Sequence, residues 1–297
     1  MRNVNRGNKE KMKGIILAAG KGTRLYPITQ AISKPLLPIY DKPMIYYPLS
    51  TLLLAGISEI LFIVAPDSID AYRSLLGDGS RIGAKFEYAI QPVARGIADA
   101  LIIGEDFIGD DDVCLILGDN IFCGQNLSNV LKKAGAQKGG ATVFGYEVKN
   151  PCEFGVVEFD KKKNVISLEE KPSEPKSNYA VPGIYFYDNR VIEIAKNIKP
   201  SARGELEITE VNKKYLEMGQ LRVQLFGRGI TWFDTGSPDG MLEATKFVSR
   251  SQAKRGRYIG CIEEIAWQQG LISKAKLVKE SKNLRSTAYG KYINSLC

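Results

Sequence analysis

Apolar positions along the chain fall into two alternating kinds of run. Residues 14–19 are short and continuously apolar, which suits a central strand covered on both faces, and the run stops abruptly at glycines and charge. Residues 59–65, 85–90, 113–117 and 141–148 read as further strands. Between them lie helical stretches at 41–56, at 67–76 with Asp67 as N-cap, from near Gly96 onward, and at 126–137. Pro48 predicts a kink or a new first turn in the 41–56 stretch. Alternation of this kind predicts an α/β fold with a mostly parallel central sheet flanked by helices.

After residue 150 the pattern changes. Residues 155–159, 165–170 and 179–187 are strand-like runs joined without strong helices, which predicts a mixed-sheet extension. Helices follow at 188–197 and 207–218, then a strand at 222–226. A further strand ends at Asp234, just before a helix that Ser237 caps with Pro238 at its first position. Residues from 262 onward read as helical. The expected organisation is a polar tail over 1–11, a catalytic domain over 12–250 and a C-terminal helical segment over 251–297 packed on it.

Composition narrows the classes. With 297 residues and 44% hydrophobic content, the chain can bury a large core. No apolar run approaches the ~20 residues that span a bilayer and residues 1–11 lack a hydrophobic signal region, so no membrane role and a cytoplasmic location are expected. The five cysteines are odd in number and form no C-x-x-C pair, which argues against a disulfide framework and a zinc site. A net charge of +8 fits a nucleic acid, an anionic surface or a phosphorylated small substrate. The basic residues of the C-terminal part read as a solvated helical face, and no nucleic-acid module is recognisable. The chain has no histidine, so nucleophile–histidine pairs give way to carboxylates, lysine, arginine or metal.

Candidate chemistry begins where the first strand ends. Gly20 and Gly22 let backbone N–H groups approach a ligand, and Lys21, Thr23 and Arg24 add donors and positive charge, a combination suited to polyphosphate. It is neither a P-loop, which needs Gly-Lys-Ser/Thr at its end, nor a dinucleotide fingerprint, which needs a small residue where Leu25 stands. An ordinary glycine-rich turn is the alternative. Lys34, pinned between apolar turns by Pro35 and Pro38, lies near the loop. Gln91 and Gly96 follow the third strand, where Gln91 reads a base or is a solvated turn residue. Asp119 closes an apolar strand as a magnesium ligand or a turn cap, and Asp234 is a second candidate ligand. Glu170 and Lys171, at a strand end, would hold sugar hydroxyls and a phosphate, or form an exposed charged turn.

Taken together, residues 17–25, 33–50, 75–80, 117–122, 179–189, 199–209 and 232–236 closely resemble the sugar-phosphate nucleotidylyltransferases, above all the branch that transfers thymidylyl to glucose 1-phosphate. The resemblance runs from about residue 12 to residue 293. It implies a Rossmann-like core, Mg²⁺ as cofactor, dTTP and α-D-glucose 1-phosphate as substrates, and direct in-line attack giving dTDP-glucose and pyrophosphate, the first step toward dTDP-rhamnose and related deoxysugars. It implies that Ala19, Gly22, Thr23 and Arg24 hold the nucleotide phosphates beside Lys34, with Gln91 and Gly96 at the thymine. It implies sugar-phosphate contacts from Gly155, Glu170, Lys171, Val181 and Arg203, and metal ligands in Asp119 and Asp234. A homotetramer and a nucleotide-sugar effector are further implications. Ala19 and Pro35 depart from the usual Gly and Gln of the thymidylyl branch and match related uridylyl enzymes, which leaves a uridylyltransferase as an alternative. A nucleotide-sugar sensor without turnover is another, opposed by the joint presence of Arg24, Asp119, Lys171 and Asp234.

Overall fold

The structure is a computed structural model, and it describes residues 12–296. The expected polar tail over 1–11 and Cys297 lie outside the described residues. In chain order the first elements are β1 (Met12–Ala18), β2 (Pro38–Ile39), β3 (Lys42–Pro43), α1 (Tyr46–Leu54), β4 (Glu59–Val64), α2 (Ile69–Leu76), β5 (Lys85–Ile90), α3 (Asp99–Ile103) and α4 (Glu105–Ile108). There follow β6 (Asp112–Leu117), β7 (Asn120–Gly124), α5 (Leu127–Gly135), β8 (Ala141–Glu147), β9 (Gly155–Phe159), β10 (Val165–Glu170), β11 (Tyr179–Ala180) and β12 (Ile184–Tyr187). The chain closes with α6 (Val191–Asn197), α7 (Ile208–Glu217), β13 (Leu221–Leu225), β14 (Ile230–Asp234), α8 (Pro238–Arg255), α9 (Ile262–Gln268), α10 (Lys274–Leu284) and α11 (Ala288–Ser295).

One sheet organises these elements, in the order β10-β9-β11-β8-β12-β6-β1-β4-β5, with β13 paired to β8. Strands β6, β1, β4 and β5 are parallel, and their last residues Leu117, Ala18, Val64 and Ile90 lie in adjacent rows at one edge. On the other flank β12 runs antiparallel to β6 and β8, so the mixed sheet expected from residue 155 continues the parallel half. Side chains alternate between two cores. Ile16, Phe62, Ile116 and Phe186 face a layer with α1, α2, α5 and α9, whereas Ile15, Leu61, Leu115 and Tyr187 face one with α3, α6 and α7. Burial on both faces explains why these strands read as unbroken apolar runs.

Four expectations shift. The helix placed at 41–56 begins only at Tyr46, because Lys42–Pro43 pair with Pro38–Ile39; Pro48 falls in the first turn, where a missing N–H costs no helical bond. Ser68, and not Asp67, occupies the cap position of α2. The 179–187 run splits at Val181-Pro182-Gly183, since β11 pairs with β8 and β9 whereas β12 pairs with β6 and β8. Strand β7 was not expected; its buried Ile121, Phe122 and Cys123 form an antiparallel pair of strands with β14. The cap at Ser237 stands as read, its hydroxyl accepting from Gly240 N at 3.1 Å.

The β2–β3 hairpin is tied to the C-terminal helices through Lys42, which is only 4% exposed. Its ammonium pairs with Asp41, lies 3.4 Å from Gln252 Oε1 on α8, and faces the rings of Tyr47, Tyr258 and Tyr289. Burial lowers its pKa, and Asp41 opposes that pull.

Candidate active site

A cleft of about 420 Å³ opens at the C-terminal edge of the parallel strands, lined among others by Gly22, Arg24, Lys34, Gln91, Gly96 and Asp119. The edge location follows from the fold, since helix-covered parallel sheets leave a crevice only where their strands end. Gly22 adopts a left-handed conformation (φ 61°), and its carbonyl accepts the Thr29 hydroxyl at 2.7 Å. From it the short 3-10 turn Thr23–Leu25 begins, burying Leu25 and leaving Thr23 and Arg24 exposed. Ala19 is buried at the root of the loop.

Behind the loop Lys34 is 7% exposed, and its Nζ donates to Asp119 Oδ2 at 2.5 Å. Burial alone would raise the Asp119 carboxyl, but the Lys34 charge and hydrogen bonds from Lys34 and Asn120 hold it below the ordinary carboxylate range. Asp234 lies opposite Asn120 in the β14–β7 register. Its pKa moves the other way, raised by burial and then by the Asp119 charge. Two recessed carboxylates thus share one field. Arg24 reaches the same place: a Cβ on Gly236 would stand 2.6 Å from Arg24 Nη2 and 3.0 Å from Asp234 Oδ1, so only glycine admits the guanidinium in this position.

At the end of β5, Gln91 is 5% exposed, and its Nε2 donates to Asp99 Oδ2 at 2.8 Å. Gly96 has φ 107°, and a Cβ there would lie 2.5 Å from the carbonyl oxygen of Leu206. The two loops are stitched together by Leu206 N to Arg95 O (2.7 Å) and Ala98 N to Leu206 O (3.1 Å).

Across β9 and β10, Gly155 pairs with Glu170 in register, and Val181 N donates to Gly155 O at 2.7 Å. The Thr209 hydroxyl donates to Glu170 Oε2 at 2.7 Å, and the exposed Lys171 sits in a left-handed turn (φ 45°) with its N–H on Phe154 O. Arg203 feels the Glu170 charge but is paired elsewhere. Its Nη2 donates to Glu207 Oε1 at 2.8 Å and lies 3.5 Å from Glu205, so the guanidinium is already paired with two acids.

Three contributors went unread in the sequence. Asn120 is 3% exposed; its Oδ1 accepts from Gly183 N (2.9 Å) and Trp232 Nε1 (2.7 Å), and its Nδ2 donates to Asp119 Oδ1 (2.9 Å). Thr209 orients Glu170, and Asp99 orients Gln91. Each acts through a partner remote in the chain, except Asp99, whose place one helical start after Gln91 was a legible signal.

A glycine-turned basic loop beside paired carboxylates at the ends of parallel strands, with Gly155, Glu170 and Lys171 gathered at the end of β10, is an arrangement that suits a nucleotidyltransferase. Similarity agrees, since the sequence profile of the nucleotidyl transferase family matches residues 13–251. Glucose-1-phosphate thymidylyltransferases from Neisseria gonorrhoeae (58% identical, covering 95% of this chain and 98% of that one) and Mycolicibacterium smegmatis (53%, 96% and 99%) align along almost the whole length. Among solved structures, a Bacillus anthracis protein assigned as a glucose-1-phosphate thymidylyltransferase superposes with a TM-score of 0.74 at 43% identity, covering 80% of this chain and 94% of that one. A UDP-glucose pyrophosphorylase bound to UDP-glucose gives 0.72 at 26%, covering 81% and 99%. The chain belongs to the nucleotidyl transferase family and, within it, groups with the glucose-1-phosphate thymidylyltransferases.

Proposed function

We propose that the chain transfers thymidylyl from dTTP to α-D-glucose 1-phosphate, giving dTDP-glucose and pyrophosphate. The observation that carries this reading is the convergence of Lys34, Arg24, Asp119 and Asp234 at the nucleotide cleft, on the sheet edge that also bears Gly155, Glu170 and Thr209. A sugar phosphate carries roughly −1.5 to −2 charge near neutral pH, so its oxygen attacks the α-phosphorus without a general base. A phosphorus–oxygen bond forms on one side, and the bond to the β-phosphate breaks on the other with its electron pair leaving on pyrophosphate. The task left to the protein is to bring two anions together and steady the charge that develops.

In this reading the loop N–H groups with Thr23 and Arg24 seat the nucleotide phosphates, and Lys34 holds Asp119 ionised and faces the phosphates. Glu170, fixed by Thr209, accepts sugar hydroxyls, Gly155 and Val181 line the sugar pocket, and Lys171 attracts the acceptor phosphate. Arg203 exchanges its acidic partners for that phosphate when the acceptor arrives. The donor set fits a hard cation, since two carboxylates whose charges oppose each other gain from one, and Mg²⁺ commonly takes one or two carboxylates plus phosphate oxygens. Held by Asp119 and Asp234, Mg²⁺ would neutralise charge at the reacting phosphate. The reading brings with it a cytoplasmic homotetramer supplying dTDP-sugar synthesis and a nucleotide-sugar effector.

The test is pyrophosphate release by the purified protein over dTTP, UTP, CTP, ATP and GTP crossed with several sugar 1-phosphates. Release is expected foremost with dTTP and glucose 1-phosphate. A preference for UTP would move the chain to the uridylyl branch, and silence with every pair would make it a sensor.

A further inference from the structure

We infer that Asp99 sets base specificity by fixing which end of the Gln91 amide faces the nucleotide cleft. A carboxylate only accepts hydrogen bonds, so the group turned toward it must be the amide NH₂. Asp99 is 1% exposed, with Oδ2 2.8 Å from Gln91 Nε2 and Oδ1 2.7 Å from Arg95 Nη2. Arg95 pairs with the carboxylate from the solvent side. The Gln91 backbone N–H is fixed on Val64 O at 2.9 Å, which holds the side chain at the end of β5. Among the described residues no hydrogen bond reaches Gln91 Oε1, and Gln91 lines the cleft.

The second amide hydrogen turns toward Gly96 O at 3.4 Å, so what the cleft is offered is the acceptor Oε1. That acceptor matches the N3–H of thymine or uracil. Cytosine carries the opposite at N3, an acceptor, beside a donor at its amino group. To read it Gln91 would have to rotate its amide, placing Oε1 against the Asp99 carboxylate with two acceptors in contact. Rejection of this kind arises from the mismatch it forces on the protein, and an amide pair of this type discriminates by roughly 5- to 150-fold. Gln91 touches the base, whereas Asp99 acts through it as a positioning residue.

The proposal rests on the reading of this cleft as a pyrimidine nucleotide site, and its test is binding, which does not require turnover. Calorimetric titration of the full chain with dTTP and with dCTP, both with Mg²⁺ and without acceptor, should show dTTP bound at least ~5-fold more tightly. Asp99→Asn offers either a donor or an acceptor to Gln91, and should close most of that gap chiefly by gaining affinity for dCTP. Asp99→Ser, with a hydroxyl that also does both, serves as the second variant should the first fail to fold. Arg95→Ala leaves the carboxylate in place and should keep the native ratio. Equal affinity of the native chain for the two nucleotides would overturn the inference, as would a neutral variant that weakens both nucleotides alike. Pyrophosphate release from the same native sample reports on the reaction separately, so preference without turnover would keep Asp99 and remove the transferase reading.

Discussion

Replacing Asn120 by alanine should cost the protein both stability and activity, in proportions that the structure sets. The amide is buried and ends three segments at once: it takes the Gly183 N–H at the start of β12, the Trp232 indole N–H on β14, and gives its own N–H to Asp119. Alanine leaves two buried donors without an acceptor, at ~1–3 kcal/mol each. Neighbouring losses are not additive, so a total of about 4 kcal/mol is expected. At ~2 °C per kcal/mol for a chain of this size, that is a fall in melting temperature of roughly 8 °C. Asn120→Asp is the informative comparator. It keeps the oxygen that serves Gly183 and Trp232 but turns the donor facing Asp119 into a carboxylate oxygen. It should therefore melt above the alanine variant yet lose more turnover. Calorimetric melts and pyrophosphate-release rates on the three proteins check this together. An alanine variant melting within 2 °C of the native chain, or an aspartate variant less stable than the alanine one, would refute the reasoning.

Asp119→Asn and Asp234→Asn should each lower turnover by about 100-fold or more, with partial recovery as Mg²⁺ is raised; native rates at ordinary Mg²⁺ would remove the metal assignment. Gly236→Ala should melt near the native temperature yet lose about ten-fold in kcat/KM, because its Cβ would stand 2.6 Å from Arg24 Nη2 and displace that flexible group. Lys171→Ala should raise KM for glucose 1-phosphate more than KM for dTTP, and steady-state kinetics with each substrate varied in turn decides it. Asp188 supplies the pH dependence: burial pulls its carboxyl upward, but hydrogen bonds from Arg190, Tyr215 and Gly140 N–H overrule it, so the folded pKa is depressed. Its contribution is present above the unfolded value near 3.9 and lost as pH falls through the folded value, so Asp188→Asn should cost ~2 kcal/mol at pH 7 and progressively less below pH 4 in denaturant melts.

Much of the framework could be read from the chain because it depends on local rules. The apolar run into Gly20 and Gly22, the doubly buried strands and the Ser237-Pro238 cap all declare themselves within a few residues. The misses share the opposite property. Lys42 and Pro43 enter a strand through a partner across a tight turn, and β7 exists because β14, over 100 residues later, pairs with it. Asn120 and Thr209 are ordinary polar residues in one dimension, and their importance comes from Trp232 and Glu170. The resemblance assigns Arg203 a phosphate contact, whereas its pairing with Glu205 and Glu207 is visible only in the fold.

The place of β12 next to β6 has a consequence during synthesis. By the time Leu117 leaves the ribosome, β6 can already lie against β1, but its other flank is reserved for a strand that begins at Ile184. At 5–20 residues per second those roughly 70 intervening residues take on the order of 4–14 s. For that interval the sequence DVCLIL presents an apolar edge with unpaired N–H and C=O groups. The nascent chain is therefore most prone to wrong pairing between the emergence of residues 117 and 187, and a chaperone that shields it has that window in which to act.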